Sequence, residues 1–238
     1  MSPTLARRLA AESLGTGILV ATVIGSGIMA TRLTSDTALQ LLVNALATVA
    51  ALGVLIATLG PVSGAHFNPV VTLAEALRRD MRPREAGGYV MAQCAGGLAG
   101  AGLANLMFGL PVWQASTHQR SGPALWLGEV VATAGLLLTI GALTRTGRGH
   151  LGPALVPAWI GAAYFFTSST SFANPAVVLA RSTSDTFAGI APASVPAFVA
   201  AELTGGAVGA LLAGFLFPRP GLPEPLDLPE AVHEHRHP

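Results

Sequence analysis

Ser63-Gly64-Ala65-His66-Phe67-Asn68-Pro69-Val70-Val71-Thr72-Leu73-Ala74 is answered in the second half of the chain by Ser169-Thr170-Ser171-Phe172-Ala173-Asn174-Pro175-Ala176-Val177-Val178-Leu179-Ala180. In each stretch Asn precedes Pro and a short apolar run follows. Asn is a strong helix N-cap and Pro is favoured at the first helical position. Each pair therefore predicts a helix start, over 70–77 and 176–181. Neither segment is long enough to cross a bilayer, which takes about 20 residues. Duplicated half-helices in a hydrophobic chain mark a substrate path at the membrane midplane.

The surroundings fit that reading. Hydrophobic residues make up 51% of the chain and charged residues 11%, with a mean hydropathy of +0.58. A soluble domain carries about a quarter charged residues. Six apolar segments, 9–30, 38–59, 87–108, 124–143, 151–167 and 195–217, are expected to span the membrane; the fifth is short and contains Pro153 and Pro157. The first begins close behind Arg7 and Arg8 but contains Glu12 and ends without a small-residue cleavage site, so it reads as an uncleaved span. The two halves, 9–108 and 124–217, repeat: Gln93-Cys94-Ala95-Gly96-Gly97 matches Glu202-Leu203-Thr204-Gly205-Gly206, and Glu12 with Thr16 matches Glu129 with Thr133. Three spans per half give the halves opposite orientations, an inverted repeat.

All basic side chains apart from histidine are Arg. With the termini on one side, ten of the 13 share it, and only Arg32, Arg120 and Arg181 lie opposite. The positive-inside rule then puts both termini in the cytoplasm. The expected unit is one channel domain, 1–217, followed by a Pro-rich, disordered tail over 218–238. His233, His235 and His237 in that tail have no companion ligands and read as incidental.

In an inverted pair, the two helix starts meet halfway through the membrane, each bringing the positive end of its dipole. Each Asn amide can aim a donor into the lumen while backbone holds its oxygen. A water at this point accepts from both amides and cannot pass a proton on, and the converging potential repels cations. That mechanism suits passive passage of neutral solutes. The composition excludes much else. There is no basic, aromatic-interleaved patch for nucleic acid, no Ser-His-Asp placement and no phosphate loop. The single Cys94 permits neither an intramolecular disulfide nor a cysteine metal cage. No enzyme activity, cofactor or metal is expected. The alternative in this class is a secondary active transporter using broken helices, with Glu12 and Glu129 as ion-coupling groups.

The paired motifs and repeated spans resemble the major intrinsic protein family, the aquaporins and aquaglyceroporins, over about residues 5–217. The resemblance implies an all-α, right-handed bundle of six spans plus two re-entrant half-helices. It implies one pore per subunit, a homotetramer, and passage of water and small neutral solutes. It assigns Asn68-Pro69-Val70 and Asn174-Pro175-Ala176 to the pore, and Glu12 and Glu129 to bracing the half-helix loops. A carboxylate inside a span is costly unless paired, so bracing is also the physical reading. Glu202, aligned with Gln93, is expected to hydrogen-bond between helices.

The chain departs from the family at its selectivity filter. The family's Arg after the second motif is Val177 here, and the first motif ends in Val70 rather than Ala. Offsets from the motifs place the other filter positions at Thr48, at Ala162 (Gly161 or Ala163 if the register slips) and at Ser171. All are small or medium and none is charged, which implies a wide filter without Arg, passing glycerol, urea or neutral metalloids such as arsenite. His66 is expected in the cytoplasmic vestibule, with a loop hydrogen bond. Arg181, one turn beyond Val177, is either a solvated helix-end charge or a group drawing polar solutes to the outer mouth. Asp185 and Thr186 read as an outer turn, and Trp113, Trp126 and Trp159 as interfacial anchors.

Overall fold

The computed structural model describes residues 3–218; the expected tail beyond Pro218, with its three histidines, Arg219 and Arg236, lies outside the described residues. The regular elements are helical: α1 (Leu5–Leu33), α2 (Thr37–Ser63), α3 (Pro69–Leu77), α4 (Pro83–Met107), α5 (Pro123–Arg145), α6 (Gly152–Phe166), α7 (Pro175–Arg181) and α8 (Val195–Leu216). Side-chain caps start several of them. Asp36 accepts from the amides of Ala38 and Leu39, Asn68 from Val70, and Asn174 from Ala176 and Val177. Pro occupies the first turn of α3 to α8, where its missing N–H costs nothing.

Five helices, α1, α2, α4, α5 and the α8 segment, are long and apolar enough to cross a membrane. The fifth expected span is shorter than 151–167. A 3-10 turn (Gly149–Leu151) precedes α6, whose 15 residues reach only about 22 Å against a hydrocarbon core of about 30 Å. Its mean composition is apolar throughout, and it lies against α2 and α5.

Contacts at the helix ends fix the topology. Arg8 at the start of α1 hydrogen-bonds Tyr89 and Glu85 near the start of α4, and Arg32 at the end of α1 reaches the Phe108 carbonyl at the end of α4. α1 and α4 therefore run parallel. Arg145 at the end of α5 donates to the Phe217 carbonyl beyond α8, so α5 and α8 run parallel too. The α2–α6 contact is antiparallel: Gly53 lies by Pro153, and Thr48 by Tyr164. The result is the expected inverted repeat.

Glycines set the closest crossings, again in duplicate. A Cβ on Gly96 would collide with the Ser13 backbone of α1, and one on Gly100 with that of Gly17. In the second half Gly205 meets Val130 and Gly209 meets Ala134 of α5 in the same way. Small residues of this kind let helices approach without a hydrophobic driving force from water.

Burial is inside-out relative to a water-soluble protein. Leu46, Met91, Leu211 and Phe215 are more than 60% exposed, whereas Glu12, Gln93, Asn105, Glu129 and Glu202 are wholly buried. A lipid-facing apolar surface around a polar interior accounts for both facts. The chain is a multi-pass membrane protein.

Candidate functional site

The loops before α3 and α7 enter the bundle from opposite ends and meet at their asparagines. Asn68 Nδ2 donates to the Ala173 carbonyl at 2.7 Å, and Asn174 Nδ2 donates to the Phe67 carbonyl at 2.7 Å. Each amide oxygen accepts from its own helix start, Val70 N at 2.9 Å and Ala176 N at 3.0 Å. A carboxamide has two N–H donors. One on each Asn locks the two half-helices together; the other remains for the lumen that both residues line.

Reaching this geometry forces both loops into the left-handed backbone region at the same three offsets before Asn. These are Gly64, Ala65 and Phe67 in the first loop and Thr170, Ser171 and Ala173 in the second, with φ between 48° and 90°. Five of the six are not glycine, and such conformations cost energy unless the surroundings fix them. The intramembrane carboxylates supply the fixing. Glu12 accepts from Ser63 Oγ (2.6 Å), His66 N (3.0 Å), Phe67 N (2.7 Å) and Gln93 Nε2 (2.8 Å). Glu129 accepts from Phe172 N (2.9 Å) and Ala173 N (2.7 Å). Glu202 also braces: its Oε1 accepts from Asn174 N at 2.7 Å. The expected helix-to-helix bond, to Glu129 of α5, is thus joined by a helix-to-loop bond. In the first half Gln93 bonds Glu12 and Thr72 instead.

A cavity of about 370 Å³ passes this point. Leu19, Val23, Leu52, Ile56, Leu136 and Ile140 give it an apolar wall in company with the two asparagines. His66 lies on the side toward the start of α6, its Nδ1 3.0 Å from Thr72 Oγ1 and its ring 5.3 Å from that of Tyr89. Glu75, which the sequence reading passed over, lines the same end. Val70 does not face the lumen; it is buried against Gly206, which leaves room for the extra bulk.

On the side toward α7, Thr48, Ser171 and Val177 line the cavity as their offsets suggest. Ala162 does not. It faces outward and is exposed, and the buried Ala163 and half-buried Gly161 do not line the lumen either. The residues of α6 that do so are Gly152, Val156, Ile160 and Tyr164, spaced by one helical turn. Tyr164 is far larger than alanine, and its hydroxyl donates to Thr48 Oγ1 at 3.3 Å. The period of four leading to the one tyrosine of that span was the available signal.

Arg181 fits the second of its two expectations, a charge at the lumen. It is only 4% exposed, so it is no solvated helix-end charge. It lines the cavity, its Nε donates to the Ala188 carbonyl, and its guanidinium stacks 3.4 Å from the centre of the Phe172 ring. Trp159 is likewise no interfacial anchor: its Nε1 donates to the Ala132 carbonyl at 2.9 Å and its ring fills the space over Gly135. Outside the spanning segments, Asp185 accepts from Thr117 N (2.8 Å) and Thr117 Oγ1 (3.0 Å), and these donors hold its carboxyl below the ordinary aspartate range.

Two half-helices capped by asparagines and meeting inside an inverted bundle of six longer helices define a membrane channel of the re-entrant class. Residues 1–173 match the family model "MIP: Major intrinsic protein", and the chain belongs to that family. It is 56% identical over 201 residues to the aquaglyceroporin AqpS of Rhizobium meliloti (strain 1021), covering 84% of this chain and 86% of that protein. It is 38% identical over 123 residues to aquaporin-8 of Rattus norvegicus, covering 48% of this chain and 47% of that one. The aquaglyceroporin structure from Plasmodium falciparum superposes with a TM-score of 0.65 at 20% identity, covering 90% of this chain and 96% of that one, and so shares the fold. The family is one of channels, and the relatives support a passive path for water and small solutes.

Proposed function

We propose that residues 1–217 form a passive channel for water and small uncharged solutes of the glycerol and urea class, including neutral hydroxylated metalloids. Both termini are cytoplasmic, and the subunits assemble as a homotetramer, each with its own pore. The observation that carries this reading is the reciprocal pair of amide bonds, Asn68 to Ala173 and Asn174 to Phe67. These leave one donor of each Asn for a passing oxygen beside an apolar wall. A solute oxygen held by donors on one side, with no acceptor opposite, cannot continue a proton wire. Protons and other cations are excluded there.

The size limit is set jointly by Thr48, Tyr164, Ser171, Val177 and Arg181, and is tighter than residues 162 and 177 alone would make it. Coupled transport is the lesser reading. Glu12 and Glu129, the carboxylates it would need, are engaged by loop amides and neither lines the lumen. Stopped-flow permeability for water, glycerol, urea and arsenite on the same proteoliposomes tests the proposal. The expected fluxes exceed those of empty vesicles and are unaffected by a protonophore. Collapse with the protonophore, or water and glycerol fluxes equal to empty vesicles, would overturn it.

A further inference from the structure

We infer that Arg181, and not the residue that follows the second Asn-Pro motif, supplies the selectivity cation of this pore, and that Phe172 is its positioning residue. The inference rests on the channel reading above and deepens it. Val177 leaves one position on the lumen side of α7 without charge. Arg181 follows it by four residues, so its side chain emerges on the same helical face and lines the same cavity. Three features hold it there. Its Nε is tied to the Ala188 carbonyl. Its planar head lies flat on Phe172, a contact that Arg makes favourably through both charge and stacking. Phe172 is itself fixed by an edge-to-face contact with Phe198 at 5.2 Å.

The terminal nitrogens of Arg181 have no hydrogen-bond partner among the described residues, and no carboxylate there forms an ion pair with it. Glu129 and Glu202, the nearest acidic groups by charge interaction, bond the amides of Phe172, Ala173 and Asn174, and neither comes within ion-pair distance of Arg181. A guanidinium that is buried, immobilised and unpaired in a wet passage offers its N–H fork to whatever oxygen-bearing solute goes by. The ligand class is therefore neutral molecules with two or more acceptor oxygens close together, such as polyols and ureas. Small organic cations of the same size are rejected by the unscreened charge. Arg120 adds to the field, its guanidinium lying 5.2 Å from the centre of the same Phe172 ring.

The test compares wild type, Arg181→Ala, Arg181→Lys, Phe172→Leu and the exposed control Arg148→Gln in proteoliposomes. Water, glycerol and methylammonium fluxes are each normalised to the amount of folded protein inserted. Arg181→Ala is expected to raise methylammonium permeability about tenfold or more relative to water. Arg181→Lys keeps the charge and should keep cations out while cutting the glycerol-to-water ratio severalfold, because the fork is lost. Phe172→Leu frees the arm and should give an intermediate cation leak. Should Arg181→Ala fail to insert, Arg181→Gln, which keeps the length, carries the same expectation. Unchanged cation exclusion in the neutral variants refutes the inference, as does a lysine variant that leaks as freely as alanine. A wild type that passes neither water nor glycerol refutes the channel reading instead, so the two failures are distinct.

Discussion

Truncating Glu12 should cost this protein both stability and conduction. The carboxylate gathers four donors, two of which are the backbone amides of His66 and Phe67. Gln93 Nε2 keeps another acceptor, Thr72 Oγ1. Ser63 Oγ keeps only the Ala65 N–H that donates to it, and its freely rotating hydroxyl must turn to a new acceptor. The two amides have no second acceptor. A buried donor left without an acceptor costs about 1–3 kcal/mol, so Glu12→Ala should destabilise the fold by about 2–6 kcal/mol. That is a large share of a typical total of about 5–15 kcal/mol. For a chain of this size about 4 kcal/mol lowers the unfolding temperature by roughly 8–16 °C. The left-handed Ala65 and Phe67 would relax as well, and Asn68 would lose its aim. Thermal unfolding in detergent and stopped-flow water flux measure the two effects. Glu12→Gln keeps one accepting oxygen but turns an N–H₂ toward donors, and should fall between. Glu129→Ala also strands two amides, Phe172 and Ala173, and should cost a similar amount. A Glu12→Ala protein that melts within about 2 °C of wild type and conducts water equally would refute the bracing argument.

Further expectations concern the lumen, the helix crossings and the outer loops. Val177→Arg places a second guanidinium one turn from Arg181, so it should narrow the passage and cut glycerol flux much more than water flux in vesicle-swelling assays. Tyr164→Ala removes a ring and a hydroxyl from the lumen wall, and should raise uptake of solutes larger than glycerol in the same assay. Gly96→Val sets side-chain atoms against the Ser13 backbone. Backbone cannot yield as a flexible side chain can, so the cost should be about 1–3 kcal/mol or more, read as loss of monodisperse protein after detergent extraction. The Asp185 carboxyl is held below its ordinary range by Thr117 donors, so its contribution is complete above that range and is lost as pH falls through the depressed value. The protection of the Thr117 amide, its exchange rate relative to an unstructured amide at the same pH, should therefore be equal at neutral pH and at about pH 5 and fall only in stronger acid, whereas Asp185→Asn should weaken it at both neutral pH and about pH 5.

Local chemistry written in the chain determined a great deal. Asn-Pro at a helix start is a capping signal whose meaning does not depend on distant residues, so α3 and α7 begin where the motifs place them. The inverted repeat followed from counting spans, and Glu12 and Glu129 were legible as braces because an isolated carboxylate in lipid is untenable. Tertiary structure decided what the lumen presents. Which face of α6 turns inward is set by packing on α2 and α5, and that put Tyr164 in the place expected of Ala162. The rotamer of Arg181 is set by Phe172 and Ala188, which the loops on either side of α7 fold back against it, and that brought a charge into a passage whose motif positions carry none. Glu202 found the Asn174 amide because a re-entrant loop fills the space beside it next to Glu129 of the neighbouring helix. Backbone caps act within one turn of chain and can be read in order. Side-chain direction inside a bundle is the joint outcome of several helices, and no single stretch of sequence encodes it.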